Sequence, residues 1–210
     1  MILQTLIHLY RGQTLLRILM NRSLAEYSLR GKVIDIGGGH HPDYFDYFKK
    51  EPGAEVEVLD GSFTGIDFER DRLSANDASV DTVILCNVLE HIYNHSFLVG
   101  EVNRVLRPGG RLIGFVPFWV GYHPDPHDYF RYTDEALQRI FADCRFKRVT
   151  VTRVGRGPIL ANFNTIVLSV PRFIRPVLYL LYAPLDLLFV KLRPGSAKRN
   201  PLGYLFVAYA

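Results

Sequence analysis

The sequence predicts an α/β fold: a mostly parallel sheet, helices on both faces, and an antiparallel last strand. Three observations carry this. Short β-branched runs alternate along the chain with segments of helical spacing. Three glycines follow the first buried run directly, in VIDIGGGHHP. A final apolar run, LGYLFVAYA, is separated from FKRVTVTRV by a proline-punctuated stretch, as when an insertion fills the hairpin between antiparallel neighbours.

The N-terminal stretch MILQTLIHLYRGQTLLRILM reads as helical and apolar. Arg11 and Arg17 interrupt it, it has no basic start and no small-residue cleavage site, so a signal peptide is not expected. No uninterrupted apolar run approaches the ~20 residues of a spanning helix. Ser23 and Glu26 have the spacing of a capping box for a helix leading into the first strand. Strands are expected at Lys32 to Ile36, Glu55 to Leu59, Thr82 to Cys86, Arg111 to Val116 and Phe146 to Val154. PDYFDYFKK is expected to be a helix with Pro42 in its first turn. The spacing of Leu89, Ile92, Val99, Val102 and Leu106 predicts one helix from Val88 to Leu106, stopped by RPGG. The organisation is thus a helical extension (1–31), a core (32–154), a basic and apolar insertion of loops and short helices (155–201), and a closing strand (202–210).

Charge is distributed unevenly. Residues 1–32 hold five Lys/Arg and one acid, residues 153–210 hold eight and only Asp186, and the middle holds twelve against nineteen. Basic flanks suggest an anionic partner. Here the bases alternate with FIRPVLYLLYAPLDLLFVKL, which suits lipid or a hydrophobic substrate better than a nucleic-acid phosphate groove, so no nucleic-acid partner is expected. Two separated cysteines, Cys86 and Cys144, make no disulfide framework and fit a reducing compartment. The expected location is the cytoplasm, peripheral at the inner face of the membrane.

Glycines after a buried strand let a ligand approach the main chain closely, as at the carboxyl ends of parallel strands in nucleotide-binding sheets. VIDIGGG resembles the first motif of class I S-adenosylmethionine-dependent methyltransferases, SVDTVILCNVLEHI their fourth-strand motif, and EVNRVLRPGGRLIGFVPF the helix and strand that follow. The resemblance covers about residues 30–153 plus the closing strand. It is greatest to the broad group with a V-L-E-H signature, and HPDPHDYFRYT resembles bacterial members associated with cell-surface glycans.

The resemblance implies a Rossmann-like fold and S-adenosyl-L-methionine as cofactor. It implies that Asp35 supports the glycine turn and the cofactor's amino-acid end, that Gly37 and Gly39 admit it, and that Asp60 accepts from the ribose hydroxyls. Asp71 is placed at the adenine end, with Asp67 as its competitor, and Asn87 near the methionine portion. His41 stands where the third glycine of the motif would be, and Pro42 removes the last glycine of a dinucleotide G-x-G-x-x-G.

Methyl transfer to a hydroxyl needs placement and a proton acceptor. His127 with Asp128 is the first candidate, then His123, then His91, each weighed against a histidine that only bonds its own loop. Phe118, Trp119, Tyr122, Tyr129 and Tyr132 are candidates for an aromatic substrate wall or for the loop's own core. Arg131 could hold an anionic group or form an ordinary salt bridge. Asn87, Glu90, His91 and His95 cluster in sequence, but an amide stands where an acid would be wanted, so packing and capping are expected and no metal. Methylation of a small-molecule, glycan or lipid-linked acceptor is the leading reading. A membrane-surface binding protein that has lost the reaction, and a nicotinamide-dependent oxidoreductase, are the alternatives.

Overall fold

A computed structural model describes residues 2–40 and 42–210. His41, and with it the departure from the glycine motif, lies outside the described residues. Two helices open the chain, α1 (Ile2–Tyr10) and α2 (Leu15–Leu24). They are separated at Gly12, whose φ of 101° ends the first, and Thr14 caps the second by accepting from the Arg17 amide. Ser23 therefore sits at the end of α2 and donates back to the Leu19 carbonyl, so the expected capping box does not form.

The strands are β1 (Ser28–Leu29), β2 (Lys32–Ile36), β3 (Lys49–Lys50), β4 (Glu55–Leu59), β5 (Val80–Cys86), β6 (Leu106–Pro117), β7 (Arg148–Val154) and β8 (Gly203–Tyr209). Six form the central sheet in the order β4-β2-β5-β6-β8-β7; β8 runs antiparallel to both neighbours and the other pairings are parallel. A separate parallel pair joins β1 to β3. The remaining helices are α3 (Gly61–Thr64), α4 (His95–Val105), α5 (Asp134–Asp143), α6 (Pro158–Ile166), α7 (Arg175–Leu192) and α8 (Gly195–Arg199).

Because side chains alternate along a strand, the central strands β2, β5, β6 and β8 feed two cores. Ile34, Ile36, Val83 and Leu85 meet Leu98, Val99 and Val102 of α4 and Leu137 and Phe141 of α5. Val33, Ile84 and Cys86 meet Leu16 and Met20 of α2 and Leu160 and Phe163 of α6 on the opposite face. The N-terminal helices thus cover one face of the sheet.

Three sequence expectations need correction. PDYFDYFKK forms a short 3-10 turn, Phe45–Tyr47, and then β3; Tyr44 and Phe48, spaced like helix neighbours, are both buried through tertiary packing. Val88 to Leu106 is not one helix: a 3-10 turn at Leu89–His91 is separated from α4 by Ile92–Asn94. There the Tyr93 amide donates to Glu69 Oε1, a bond it could not make inside a continuous helix, and Asn94 Nδ2 donates to the Glu69 carbonyl. Finally, the insertion contains the 18-residue α7, which continues through Pro184, in place of loops and short helices.

The register places that insertion. Gly203 lies opposite both Val154 and Pro117, the last residues of β7 and β6, so residues 155–201 leave and return at the carboxyl edge of the parallel strands.

Candidate active site

Four strand ends meet at this edge. The turn after β2 is held open by its glycines: Gly37 and Gly39 have φ of 71° and 67°, and the Gly37 amide donates to the Leu59 carbonyl. A Cβ on Gly37 would lie 2.6 Å from Val88 Cγ2, and one on Gly38 would lie 1.7 Å from Asp35 Oδ2. Asp35 is fully buried, and its carboxylate accepts twice from the Tyr44 hydroxyl, at 2.8 and 2.9 Å. Burial pushes its carboxyl up to about 7, against the Tyr44 hydrogen bond that favours ionisation. Asp35 therefore stands beneath the turn and does not line the cleft above it, and Gly38 is the glycine that must stay bare over it.

Asp60 follows β4 and holds two segments together. Its Oδ2 accepts from the Gly39 amide at 2.9 Å, and its Oδ1 accepts from the Ser62 amide and hydroxyl at 2.9 and 2.5 Å, capping α3. Burial opposes its ionisation, but these donors outweigh it and keep the carboxyl below the usual carboxylate range.

Asn87 follows β5 in left-handed conformation, φ 55°, with its amide donating to the Phe115 carbonyl. Its Nδ2 reaches Met20 Sδ of α2 at 3.4 Å, while its Oδ1 is buried without a hydrogen-bond partner. The turn that follows carries the loop after β6. The Tyr129 and Phe130 amides donate to the Glu90 carbonyl, the Tyr132 hydroxyl donates to the Leu89 carbonyl, and His91 Nδ1 lies 2.5 Å from the His127 carbonyl.

This turn divides two cavities. One, of about 670 Å³, is lined by Gly37, Asp60, Asp67, Phe68, His127 and Tyr129 among others. The second, of about 620 Å³, is bounded by Gln13, Thr14 and Arg17 from the N-terminal helices, by Asp43, and by Pro117 and His123. Asn87, His91 and Asp125 line both.

Of the residues expected at the site, Gly37, Asp60, Asn87, His91, His127 and Tyr129 come together in the first cavity and His123 in the second. Several do not. Asp71 is exposed and outside the lining, its Oδ2 accepting from the amide of Asp67, which does line the cleft. His127 has no dyad with Asp128: that carboxylate is taken by both terminal nitrogens of Arg131, at 2.5 and 2.8 Å, and by the His123 amide. Arg131, with the His123 amide and against burial, holds Asp128 well below the usual carboxylate range, and Arg131 is thereby committed to an ion pair. Trp119 and Tyr122 are exposed away from both cavities, Phe118 packs edge-on against Tyr204, and Tyr132 is buried. His95 packs on Phe130 and Tyr132, apart from Glu90. What the sequence reading missed is the contribution of Gln13–Arg17, since nothing in the residue pattern places an N-terminal helix against the fourth-strand motif.

Residues 43–114 match the family model described as a methyltransferase domain. No curated protein matches the chain. Among solved structures, a S-adenosylmethionine-dependent methyltransferase from Archaeoglobus fulgidus is 15% identical, with 97% of both chains covered and a TM-score of 0.57. A possible histamine N-methyltransferase from Thermotoga maritima is 12% identical, covering 98% of this chain and 93% of its own, with a TM-score of 0.54. Phosphoethanolamine N-methyltransferase 2 of Haemonchus contortus, bound to S-adenosyl-L-methionine, is 14% identical over 90% of this chain with a TM-score of 0.55; the chain spans about half of its length, 52%. The domain match and the sheet place the chain among proteins with the class I S-adenosylmethionine-dependent methyltransferase fold. Their cofactor is S-adenosyl-L-methionine.

The first cavity fits that cofactor on its own terms. It has a side-chain-free backbone turn at Gly37, a carboxylate at the end of the neighbouring strand, and a buried amide oxygen with no protein partner.

Proposed function

We propose that the chain is a methyltransferase acting on an oxygen of a small-molecule, glycan or lipid-linked acceptor, which enters the second cavity from the side of the helical insertion. The observation that carries this is the shared wall: Asn87 and His91 line both cavities, so ligands in the two meet across one turn. Bound S-adenosyl-L-methionine supplies an already activated methyl group. The protein's part is placement and exclusion of water. Asp60 offers acceptor oxygens for the ribose, Asp67 replaces Asp71 as the residue toward the adenine end, and Asn87 Oδ1 is free for the amino-acid end. His91 and His123 line the second cavity, where the acceptor would sit, and His127 lines only the first.

Incubation with a labelled methyl donor and fractionated lipid, glycan and metabolite extracts tests the reaction. Label is expected in an acceptor fraction in a base-stable, ether-type linkage. Tight S-adenosylhomocysteine binding with no labelled product in any fraction would instead favour a binding protein that has lost the reaction, and NADH binding would favour the oxidoreductase.

The lipid side of the proposal rests on α7. No helix among the described residues is long and apolar enough to cross a membrane. Yet Val177, Leu181, Leu185, Leu188 and Leu192, spaced along one stripe of α7, are each more than half exposed. The opposite side, with Tyr179, Tyr182 and Ala183, packs on the core. A cap that merely buried these leucines would not leave them so. Arg172, Lys191, Arg193, Lys198 and Arg199 are exposed around the stripe, whereas Arg175, expected among them, is buried and donates to the carbonyls of Val170 and Gly12. Full burial of a leucine is worth roughly 1.5 to 3 kcal/mol, and each base near an anionic surface adds about 1 kcal/mol. Together they suffice for reversible attachment at the cytoplasmic face.

In liposome sedimentation, binding is expected only with anionic lipid, weakening with salt. It is expected to fall in the Lys191, Arg193, Lys198 and Arg199→Gln protein and in a Leu181, Leu185 and Leu188→Ser protein. Protein left in the supernatant at low salt, or a concentration-dependent dimer lost in the Ser variant, would overturn the lipid surface, the dimer pointing to a second copy as the occupant.

A further inference from the structure

Glu90 stands out among the buried polar groups. Its side chain is completely buried, and neither carboxylate oxygen has a hydrogen-bond partner. An unbonded carboxylate in such a place is destabilising unless another charge offsets it. Two imidazoles face it: His91 Nε2 is 3.8 Å and His123 Nε2 3.9 Å from Glu90 Oε1, both beyond hydrogen-bond length. The two rings meet edge to face at 5.3 Å. The far nitrogens face backbone carbonyls, His91 Nδ1 that of His127 at 2.5 Å and His123 Nδ1 that of Gly121 at 2.8 Å. A carbonyl only accepts, so Nδ1 of His91 carries the hydrogen; His123 Nδ1 also has an Arg131 terminal nitrogen at 3.3 Å, but the Gly121 carbonyl is the nearer partner and places the hydrogen on Nδ1 there too, so that in the neutral tautomer each Nε2 keeps its lone pair. One carboxylate and two imidazole lone pairs then converge.

We propose that Glu90, His91 and His123 bind a divalent transition-metal ion of the zinc class. Their ligand atoms lie within 4.8 Å of one another. Tetrahedral zinc with bonds of about 2.0 to 2.1 Å keeps its ligands about 3.4 Å apart, so closure takes about half an ångström at each Glu90–histidine pair and at most about 1.4 Å between the two imidazoles. Each histidine's Nδ1–H donating to a main-chain carbonyl is the outer-shell arrangement that orients ligating imidazoles. Two imidazoles and a carboxylate leave a coordination position for water or substrate. His91 lines both cavities and His123 the second, so that position is at the acceptor side. This grouping differs from the Asn87, Glu90, His91 and His95 set suggested by sequence adjacency; His123 comes from the loop after β6, more than thirty residues on. That the ion serves an acceptor oxygen rests on the reading of the second cavity given above; the metal site itself does not.

The test is direct binding to the full chain, stripped with a chelator and titrated calorimetrically with Zn²⁺, and separately with Co²⁺ followed by its visible absorption. One ion per chain is expected, with affinity falling roughly 100-fold or more in His123→Ala and in Glu90→Gln, and unchanged in His8→Ala on α1. Circular dichroism establishes folding, and His123→Asn is the substitute where His123→Ala does not fold. Absence of stoichiometric binding, or binding undiminished without His123, overturns the site and leaves Glu90 paired with a protonated histidine. Binding of the ion with no methylated acceptor found would leave the site standing and remove its assigned role, so the two failures are distinguishable.

Discussion

Gly38→Ala is expected to lose most of its affinity for S-adenosylhomocysteine and to melt several degrees below the parent. The added Cβ would fall 1.7 Å from Asp35 Oδ2 and 2.8 Å from the Tyr44 hydroxyl. Neither can yield easily: Asp35 is short, fully buried and on a central strand, and Tyr44 is buried against it. Overpacking of this kind costs about 1 to 3 kcal/mol, or roughly 3 to 10 °C in melting temperature at this chain length. The turn that moves is the one whose Gly39 amide is bonded to Asp60, so cofactor affinity is expected to fall by roughly 10- to 100-fold. Calorimetry and thermal melts read both. A double-mutant cycle sharpens the test, because removing the obstructing carboxylate with Asp35→Ala should make the Gly38→Ala step cheaper than it is alone. If the two changes add without coupling, the contact is not what keeps position 38 bare.

The second large effect is expected at Asp186, far from the cleft. This residue of α7 is 1% exposed and caps α6: Oδ2 accepts from the Gly157 amide at 2.9 Å, and Oδ1 from the Ile159 and Leu160 amides at 3.0 and 3.1 Å. A helix start leaves its first amides without intrahelical partners, and Gly157 at the cap position has no side chain to serve them. Asp186→Ala strands these donors at the positive end of the helix, at a cost of about 2 to 4 kcal/mol. Asp186→Asn, keeping one acceptor oxygen, should lose about half as much. Urea denaturation measures the difference. A loss in the alanine variant below about 0.5 kcal/mol, within the range of an ordinary surface change, would show that α6 finds other partners.

The two cases show what could be read from residues in order and what could not. β2, β5 and residues 111–117 of β6 are largely buried apolar runs, and β4 alternates Glu with Val at the exposed sheet edge, so in each the pattern is local. Gly37, Asp60 and Asn87 follow from them, since each comes immediately after a strand. The errors have a different source. Tyr44 and Phe48 repeat at helical spacing because one seeks Asp35 and the other the core, and Leu89 and Val99 do so across a break at Ile92–Asn94 held by Glu69. His127 and Asp128 are adjacent in the chain but bond in different directions. Asp186, the sole acid in a basic tail, was visible as an exception in composition; only the packing of α7 on α6 shows which amides it serves.

The turn between α1 and α2 has a further consequence. Its backbone is bonded to the insertion twice, from the Leu16 amide to Asn164 Oδ1 at 2.9 Å and from Arg175 to the Gly12 carbonyl at 3.1 Å, while its side chains Gln13, Thr14 and Arg17 bound the second cavity. Segments from opposite ends of the chain are thus tied to each other beside the second cavity, and a substitution at Asn164 or Arg175, distant in sequence from that cavity, removes a support of its wall.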